Sequence, residues 1–492
     1  MDIMFKMIRA SKEAYLAEFY QELFNQYRST TLNLRLMWSD TIITMDEEHI
    51  KFILATGFQH FWRGRRQKER MELFLGDGIF NRDDEQWKAH RNLARPFFSR
   101  DRISDFEIFE RYTDATLSII SSLTDAGEPI EVQDLYARFT LDTASEALFG
   151  ERLDTLHRAL PIPGKSTMSA KGSATKDEFG DFVQSFEVAQ EIVVRRSGKG
   201  YFWPATQLLK DDIEPHADVI SKFLEPMISR VLRNKAQMKK AGIVPTVEQS
   251  TFLDYLADNT EDPKVIRDQL LNILLAGRDT TSCLLTFVTY FMALHPEVVQ
   301  KMREEVFKFI GATRAPTIDD IKELRYMINE TLRLFPPVPI NQREVRNRPV
   351  LFPKSDGTFL EESQAPIYAP ANTVVIYFQW FTHRNPTLWG PDADVFDPER
   401  WLDDRLRTFT ENPMIFTPFS AGPRICIGQN YARNEATFFL VRLLQQYDTF
   451  TLAPEVQPEG SLPPPEWKRA VGRKGIEKLR PAYALTLFAK VR

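Results

Sequence analysis

Cysteine is nearly missing from this chain: its 492 residues hold two, Cys283 and Cys426. Two distant thiols build no disulfide framework, and their scarcity suggests a reducing compartment. A strong charge of either sign is missing too. The formal net charge is −5, which gives no reason to expect nucleic acid as a partner. Length alone suggests about three domains at roughly 150 residues each. Yet no Gly/Ser-rich spacer, fixed-period repeat or block of like charge offers a place to cut. Long apolar runs are also lacking. The opening "MDIMFKMIRASKEAYLAEFYQELFNQY" is charged throughout, with neither a signal core nor a membrane span. The most apolar later stretch, Leu270 to Leu294, is interrupted by Arg278 and Asp279 and reads as a buried core helix.

What is present is apolar and mostly helical. Hydrophobic residues make up 43% and aromatics 12%, with 37 phenylalanines, enough for a large continuous core. Leu16, Phe19, Tyr20, Leu23 and Phe24 mark one stripe of an amphipathic first helix. "TLNLRLMW" and "TIITM" read as strands and "DEEHIKFILA" as helix. Helical periodicity covers Asp83 to Phe98, Thr113 to Leu123, Val132 to Leu148, Asp181 to Val194 and His216 to Lys240. Lys264 to Leu294 is the longest helical run, and Pro296 suits the start of the next helix. Residues 161 to 180, without periodicity, read as a surface loop. "TIDDIKELRYMINETLRLFPPVP" opens on a capping-box pattern, Thr317 to Asp320, and ends where Pro336, Pro337 and Pro339 forbid helix. "PVLF", "APIYA", "TVVIYFQWF" and the terminal "AYALTLFAKV" read as strands around a last long helix, Tyr431 to Gln446. The class is mainly α with a smaller β portion.

Three constellations carry chemistry. In "FSAGPRICIG", Gly422 permits a tight turn and Gly428 a close backbone approach. Cys426 precedes a helix, whose unpaired N–H groups and dipole favour thiolate over thiol. A thiolate on such a loop suits a large, flat metal cofactor. Arg424 could meet a carboxylate on that group, and Phe419 could pack under the loop. A buried or merely reactive cysteine is the bland account. In "LLAGRDTTS", Gly277 weakens the helix, and Asp279, Thr280, Thr281 and Ser282 can open its hydrogen-bond ladder. An acid beside an alcohol suits proton relay, although a satisfied polar cluster that only shapes the helix explains it equally well. Glu330 and Arg333 share a helix face as an ordinary ion pair would. Arg400 in "DVFDPERW" suggests a buried triad that locks a loop, a structural role.

In this order, the three motifs resemble the cytochrome P450 superfamily of haem-thiolate monooxygenases. Beyond the motifs the resemblance extends more loosely from about Trp87 to Tyr447, and it implies the P450 fold as a single domain over residues 1–492. It implies haem b as cofactor, with Cys426 as the axial ligand to iron, where thiolate favours O–O cleavage. Thr280 and Asp279 would deliver protons. Trp87 and Arg91 in "WKAHR", with Arg343 and Arg424, would bind haem propionates, and Phe419 and Gly428 would complete the cysteine loop. Glu330, Arg333 and Arg400 would hold the core behind the haem. "AGRDTT", "FPPVPINQREV" and "THRNPTLWGPDADVFDPERW" look like fungal relatives of alkane and fatty-acid hydroxylases.

The implied reaction inserts one atom of O2 into a C–H bond of an apolar small molecule. Its electrons come from NADPH through a separate reductase, which the basic face of Lys88, Arg91 and Arg95 could meet. Fatty acids or alkanes are the suggested substrates, with a terpenoid or other secondary metabolite as an alternative. The regions around Phe74 to Phe80, Pro161 to Trp203 and Ile340 are those expected at the substrate. An isomerase or dehydratase needing neither O2 nor reductase, or an inactive haem-binding remnant, are the competing readings. Members of the superfamily commonly begin with a membrane anchor and a proline-rich hinge, which this sequence does not display. The expectation is therefore the cytosolic face of the endoplasmic reticulum by resemblance, with cytoplasmic or peripheral attachment as options.

Overall fold

A computed structural model describes residues 14–36, 39–99, 103, 106–169, 171–172, 177–208, 210–242, 250–354 and 366–491. The expected start of the first helix, the strand ends at Met37, Trp38 and Ala365, and loop positions 170 and 173–176 lie outside the described residues.

Helical periodicity resolves into twelve principal helices: α1 (Glu18–Tyr27), α2 (Arg65–Leu75), α3 (Asp84–Ala94), α4 (Glu107–Asp125), α5 (Val132–Ala144), α6 (Glu178–Gly198), α7 (Glu214–Ala241), α8 (Pro263–Leu274), α9 (Thr280–Leu294), α10 (Pro296–Phe309), α11 (Tyr326–Leu334) and α12 (Gln429–Gln446). The stripe on α1 buries Phe19, Leu23 and Phe24. The long apolar run divides into α8 and α9, joined by a π-helical turn at Leu275–Asp279. That turn sits where Gly277 weakens the helix and polar side chains compete with its ladder. Thr280 Oγ1 donates to the Ala276 carbonyl at 2.5 Å. A Cβ on Gly277 would lie 3.3 Å from Ala144 Cβ, so α5 packs closely on the turn. Among the described residues no single helix is long and apolar enough to cross a membrane.

The main sheet runs β1 (Thr31–Leu36), β2 (Ser39–Thr44), β7 (Val374–Tyr377), β4 (Asn341–Val345), β3 (Phe61–Trp62) in spatial order. β4 and β3 have no clear alternation in the sequence. β4 pairs antiparallel with β7, which sets Arg343 opposite Val375. β5 (Val350–Leu351) and β6 (Tyr368–Ala369) form a second, two-stranded sheet.

Three local expectations change. The terminal strand is a hairpin, β8 (Pro481–Ala484) and β9 (Thr486–Ala489), because Leu485 turns the chain with φ of 58°. "TVVIYFQWF" leaves the sheet after Tyr377 and becomes a short helix at Gln379–Thr382. The capping box at Thr317 forms, but its helix stops at Glu323 and α11 restarts at Tyr326, with buried Leu324 at the break. One apolar cluster joins α1, α5, α9, α11 and α12, and a second joins α2, α6, α7 and α8.

Candidate active site

The cysteine loop is shaped by backbone before any ligand chemistry enters. Gly422 has φ of +66°, and a Cβ there would stand 1.9 Å from the Leu54 carbonyl oxygen, so only glycine fits. The Cys426 N–H donates to the Phe419 carbonyl at 2.9 Å, closing the loop, while the Phe419 ring lies 5.0 Å from the Arg433 guanidinium. Gly428 is a looser requirement, since its Cβ would meet only Phe98 at 3.4 Å. α12 starts at the next residue.

Cys426 is exposed, yet burial pushes its thiol above the ordinary cysteine value. Both hold because the Cys426 side chain is deeply enclosed but opens inward. The Gly428 backbone and the Arg91 charge pull the other way and are outweighed. The pull of the Gly428 N–H at the helix start is the one the sequence suggested, set here against burial.

Three arginines gather nearby. Arg424 donates to the Arg82 carbonyl at 2.9 Å and to Asp83 Oδ1 at 2.7 Å, and its guanidinium lies 4.4 Å from the Trp87 ring. Arg343, from β4, donates to the Gln342 carbonyl at 2.8 Å. Arg63 reaches Asn341 at 3.2 Å, and its Nε is buried without a partner. Burial, then Arg343, brings Arg424 down to about 10; burial, Arg343 and Arg424 depress Arg63 further. Asp83 and Asp84 both act on Arg424, and Asp83 also pairs with Lys68 at 3.1 Å. Positive charge is in excess, which fits a cofactor edge bearing two carboxylates. Arg91, on α3 with Trp87, has Cys426 and Arg95 as its charged neighbours.

Asp279 and Thr280 do not bond to each other. Asp279 accepts from Arg278 at 2.7 Å and Gln190 at 2.8 Å, with Lys171 at 3.4 Å. Burial raises its carboxyl, but Lys171, Arg278 and Gln190 together hold it below the usual range. Glu187, 3.7 Å from Arg278, joins this network around a cavity of about 30 Å³. Lys171 belongs to the segment expected as a surface loop; it and Met168 instead turn inward. Ala276 and Thr280, one turn apart, stay half-buried while Leu275, Arg278 and Asp279 are buried.

Glu330, Arg333 and Arg400 meet, each no more than 1% exposed. Arg333 grips Glu330 through two 2.8 Å bonds and donates to the His383, Ala393 and Val395 carbonyls. Arg400 Nε lies 3.5 Å from Glu330, and its Nη2 is 2.9 Å from Asp392. Trp401 Nε1 and the Asp397 N–H each reach Glu330 at 3.0 Å. Arg63, Asp83, Lys171 and Gln190 escaped the sequence reading, since polar residues outside a motif carry no local signal of who meets them.

The family model described as Cytochrome P450 matches residues 2–476. The chain is similar to cytochrome P450 52A13 of Debaryomyces hansenii, 34% identical over 92% of this chain and 84% of that protein. It is similar to cytochrome P450 monooxygenase himC of Aspergillus japonicus, 36% identical over 88% of this chain and 74% of that protein. It is also similar to cytochrome P450 52A6 of Candida tropicalis, 32% identical over 94% and 85% of the two chains. The chain belongs to the cytochrome P450 family, the haem-thiolate monooxygenases that use O2 and electrons from a redox partner.

Proposed function

We propose that this monooxygenase holds haem b through Cys426 at the iron and through Arg63, Arg343, Arg424, Trp87 and Arg91 at the propionates, and hydroxylates fatty acids or alkanes. The excess of guanidinium over carboxylate around Asp83 carries the first part. It is the charge balance expected of a pocket built for a dianionic edge. When bound, the haem supplies the activation of O2 and the oxidation of the C–H bond.

The chain's own residues do the rest. Gly422 and the Phe419 carbonyl fix the Cys426 backbone, and Arg91 places positive charge beside the sulfur. Ala276 and Thr280 present the open face of the distal helix, and the Thr280 hydroxyl, parked on the Ala276 carbonyl, swings to hand on a proton. Asp279 draws that proton from the cavity it shares with Lys171, Glu187 and Arg278 by exchanging one of its partners. Glu330, Arg333 and Arg400 keep the loop before the cysteine in place. The whole chain acts as one domain, Lys88, Arg91 and Arg95 receive the reductase, and the site of action is the cytosolic face of the endoplasmic reticulum. The substrate class rests on the resemblance of the haem-packing segments to fungal alkane and fatty-acid hydroxylases.

A carbon monoxide difference spectrum of the reduced protein beside Cys426→His tests the ligand. A strongly red-shifted Soret band in the native protein alone is expected; the same histidine-like band in both overturns the assignment. Turnover of dodecane or dodecanoic acid that requires NADPH and reductase separates hydroxylation from isomerase chemistry. Thr280→Val is expected to divert reducing equivalents to peroxide.

A further inference from the structure

Glu435, on α12, is buried at 1% exposure, and neither of its carboxyl oxygens has a hydrogen-bond partner. α4, α9, α10, α11 and the short helix Ile318–Glu323 all pack on α12, yet among the described residues no cation acts on this carboxyl. Burial pushes it far above the ordinary carboxylate range, so the folded chain carries it neutral. Its surroundings are apolar: α9 and α12 meet in the first apolar cluster through Leu284, Leu285, Phe439 and Leu440. A hydrophobic side chain of the same size would fill the place at lower cost. Packing alone therefore gives no reason for an acid here.

Thr281 supplies one. It is 2% exposed on α9, directly after Thr280, and it is the one side chain that acts on the Glu435 carboxyl. The two stop short of a closed hydrogen bond. A neutral carboxyl has one O–H to give and a hydroxyl has lone pairs to receive it, so the pair is matched in chemistry. Tyr431, one turn before Glu435 on the same face, is buried as well. Its hydroxyl has no partner, and Glu435 is the charge that acts on it. Two buried polar groups on one face of α12 thus look towards a hydroxyl on α9. α12 begins where the cysteine loop ends, and α9 begins where the π-helical turn ends. Glu435 and Thr281 therefore join the element that leaves Cys426 to the one that carries Thr280.

We infer that Glu435 is a positioning residue: it donates a hydrogen bond to the Thr281 hydroxyl and so sets the rotation of α9, and with it Thr280, against the helix that leaves the cysteine loop. The consequence for Thr280 rests on the proposed proton relay; the bond between Glu435 and Thr281 does not.

The infrared spectrum of the full-length, haem-loaded protein at neutral pH tests the bond. A carboxylic-acid carbonyl band that disappears in Glu435→Gln and moves in Thr281→Val is expected. No band lost in Glu435→Gln, or a band that Thr281→Val leaves in place, overturns the inference. Glu435→Met tests the positioning, because it keeps the length of the side chain and removes its polar end. It is expected to resist urea at least as well as wild type. It should nonetheless release about three-fold more peroxide per NADPH, an effect of the size one hydrogen bond supports. Glu435→Gln, which can still donate, is expected to stay within about two-fold of wild type. Peroxide unchanged in Glu435→Met, or raised only together with a loss of stability, overturns the positioning role. Where Glu435→Met lacks the thiolate–carbon monoxide band, Glu435→Leu carries the comparison. Where Thr280→Val fails to raise peroxide, the proton relay falls and the infrared result alone decides the bond.

Discussion

Two groups of enclosed arginines in this chain are built to opposite rules. Around Glu330, nearly every donor of Arg333 and Arg400 has an acceptor: a carboxylate, five backbone carbonyls within 3.2 Å and the Asp392 side chain. Around Asp83, Arg424 and Lys68 pair with the carboxylate at 2.7 and 3.1 Å, Arg63 and Arg343 add like charge beside Arg424, and the Arg63 Nε has no partner. In the first group only the Arg400 Nε falls short of a hydrogen bond, and it stands 3.5 Å from the Glu330 carboxylate. The second keeps an excess of positive charge, which the proposed haem propionates would meet. Satisfaction of charge, more than burial, separates an arginine that holds a fold from one that holds a ligand.

Breaking the satisfied group has the largest expected effect. Glu330→Ala strands two buried guanidiniums and is expected to cost about 3–5 kcal/mol, read as loss of folded, haem-containing protein on purification. A variant that accumulates with full haem content would show that the triad is dispensable.

His383 sharpens the same side through pH. Its Nε2 accepts from the Thr417 N–H at 2.9 Å, its carbonyl serves Arg333, and burial, then Arg333, lowers its pKa from 6.5 to about 3. The folded chain keeps this imidazole neutral where the unfolded chain takes a proton. Its contribution is therefore whole above pH 6.5 and is lost as pH falls from there towards 3. At about 1.4 kcal/mol per pH unit, the loss by pH 5 is about 2 kcal/mol. Urea unfolding of wild type and His383→Gln should show acid limbs that diverge below pH 6.5. Parallel limbs would remove His383 from the account.

The smallest effect has the opposite sign. Arg63→Met relieves like-charge repulsion and is expected to stabilise the haem-free protein by about 1 kcal/mol while speeding haem loss to a scavenger protein. Both quantities falling together would place Arg63 with the scaffold.

The sequence made the motifs legible because each is local. The cysteine loop needs its glycine and its cysteine within ten residues, and the π turn follows from Gly277 and the polar run after it. What stayed hidden depends on partners far along the chain. Arg63 lies outside every motif and Lys171 lies in a stretch that reads as a surface loop, until the fold sets them beside Arg343 and Asp279. β4 showed no alternation because Arg343 and Glu344 point into polar surroundings. Leu485 hid a hairpin because a leucine with positive φ defies turn chemistry and is held by packing.

The contact of Gly422 with Leu54, and of Arg424 with Arg82 across 342 positions, also orders events during synthesis. The segments that receive the cysteine loop leave the ribosome long before the loop does. They wait for their partners while most of the chain is made. Under the proposed assignment, a nascent chain halted before Cys426 would hold half of a haem site without the residue that meets the iron.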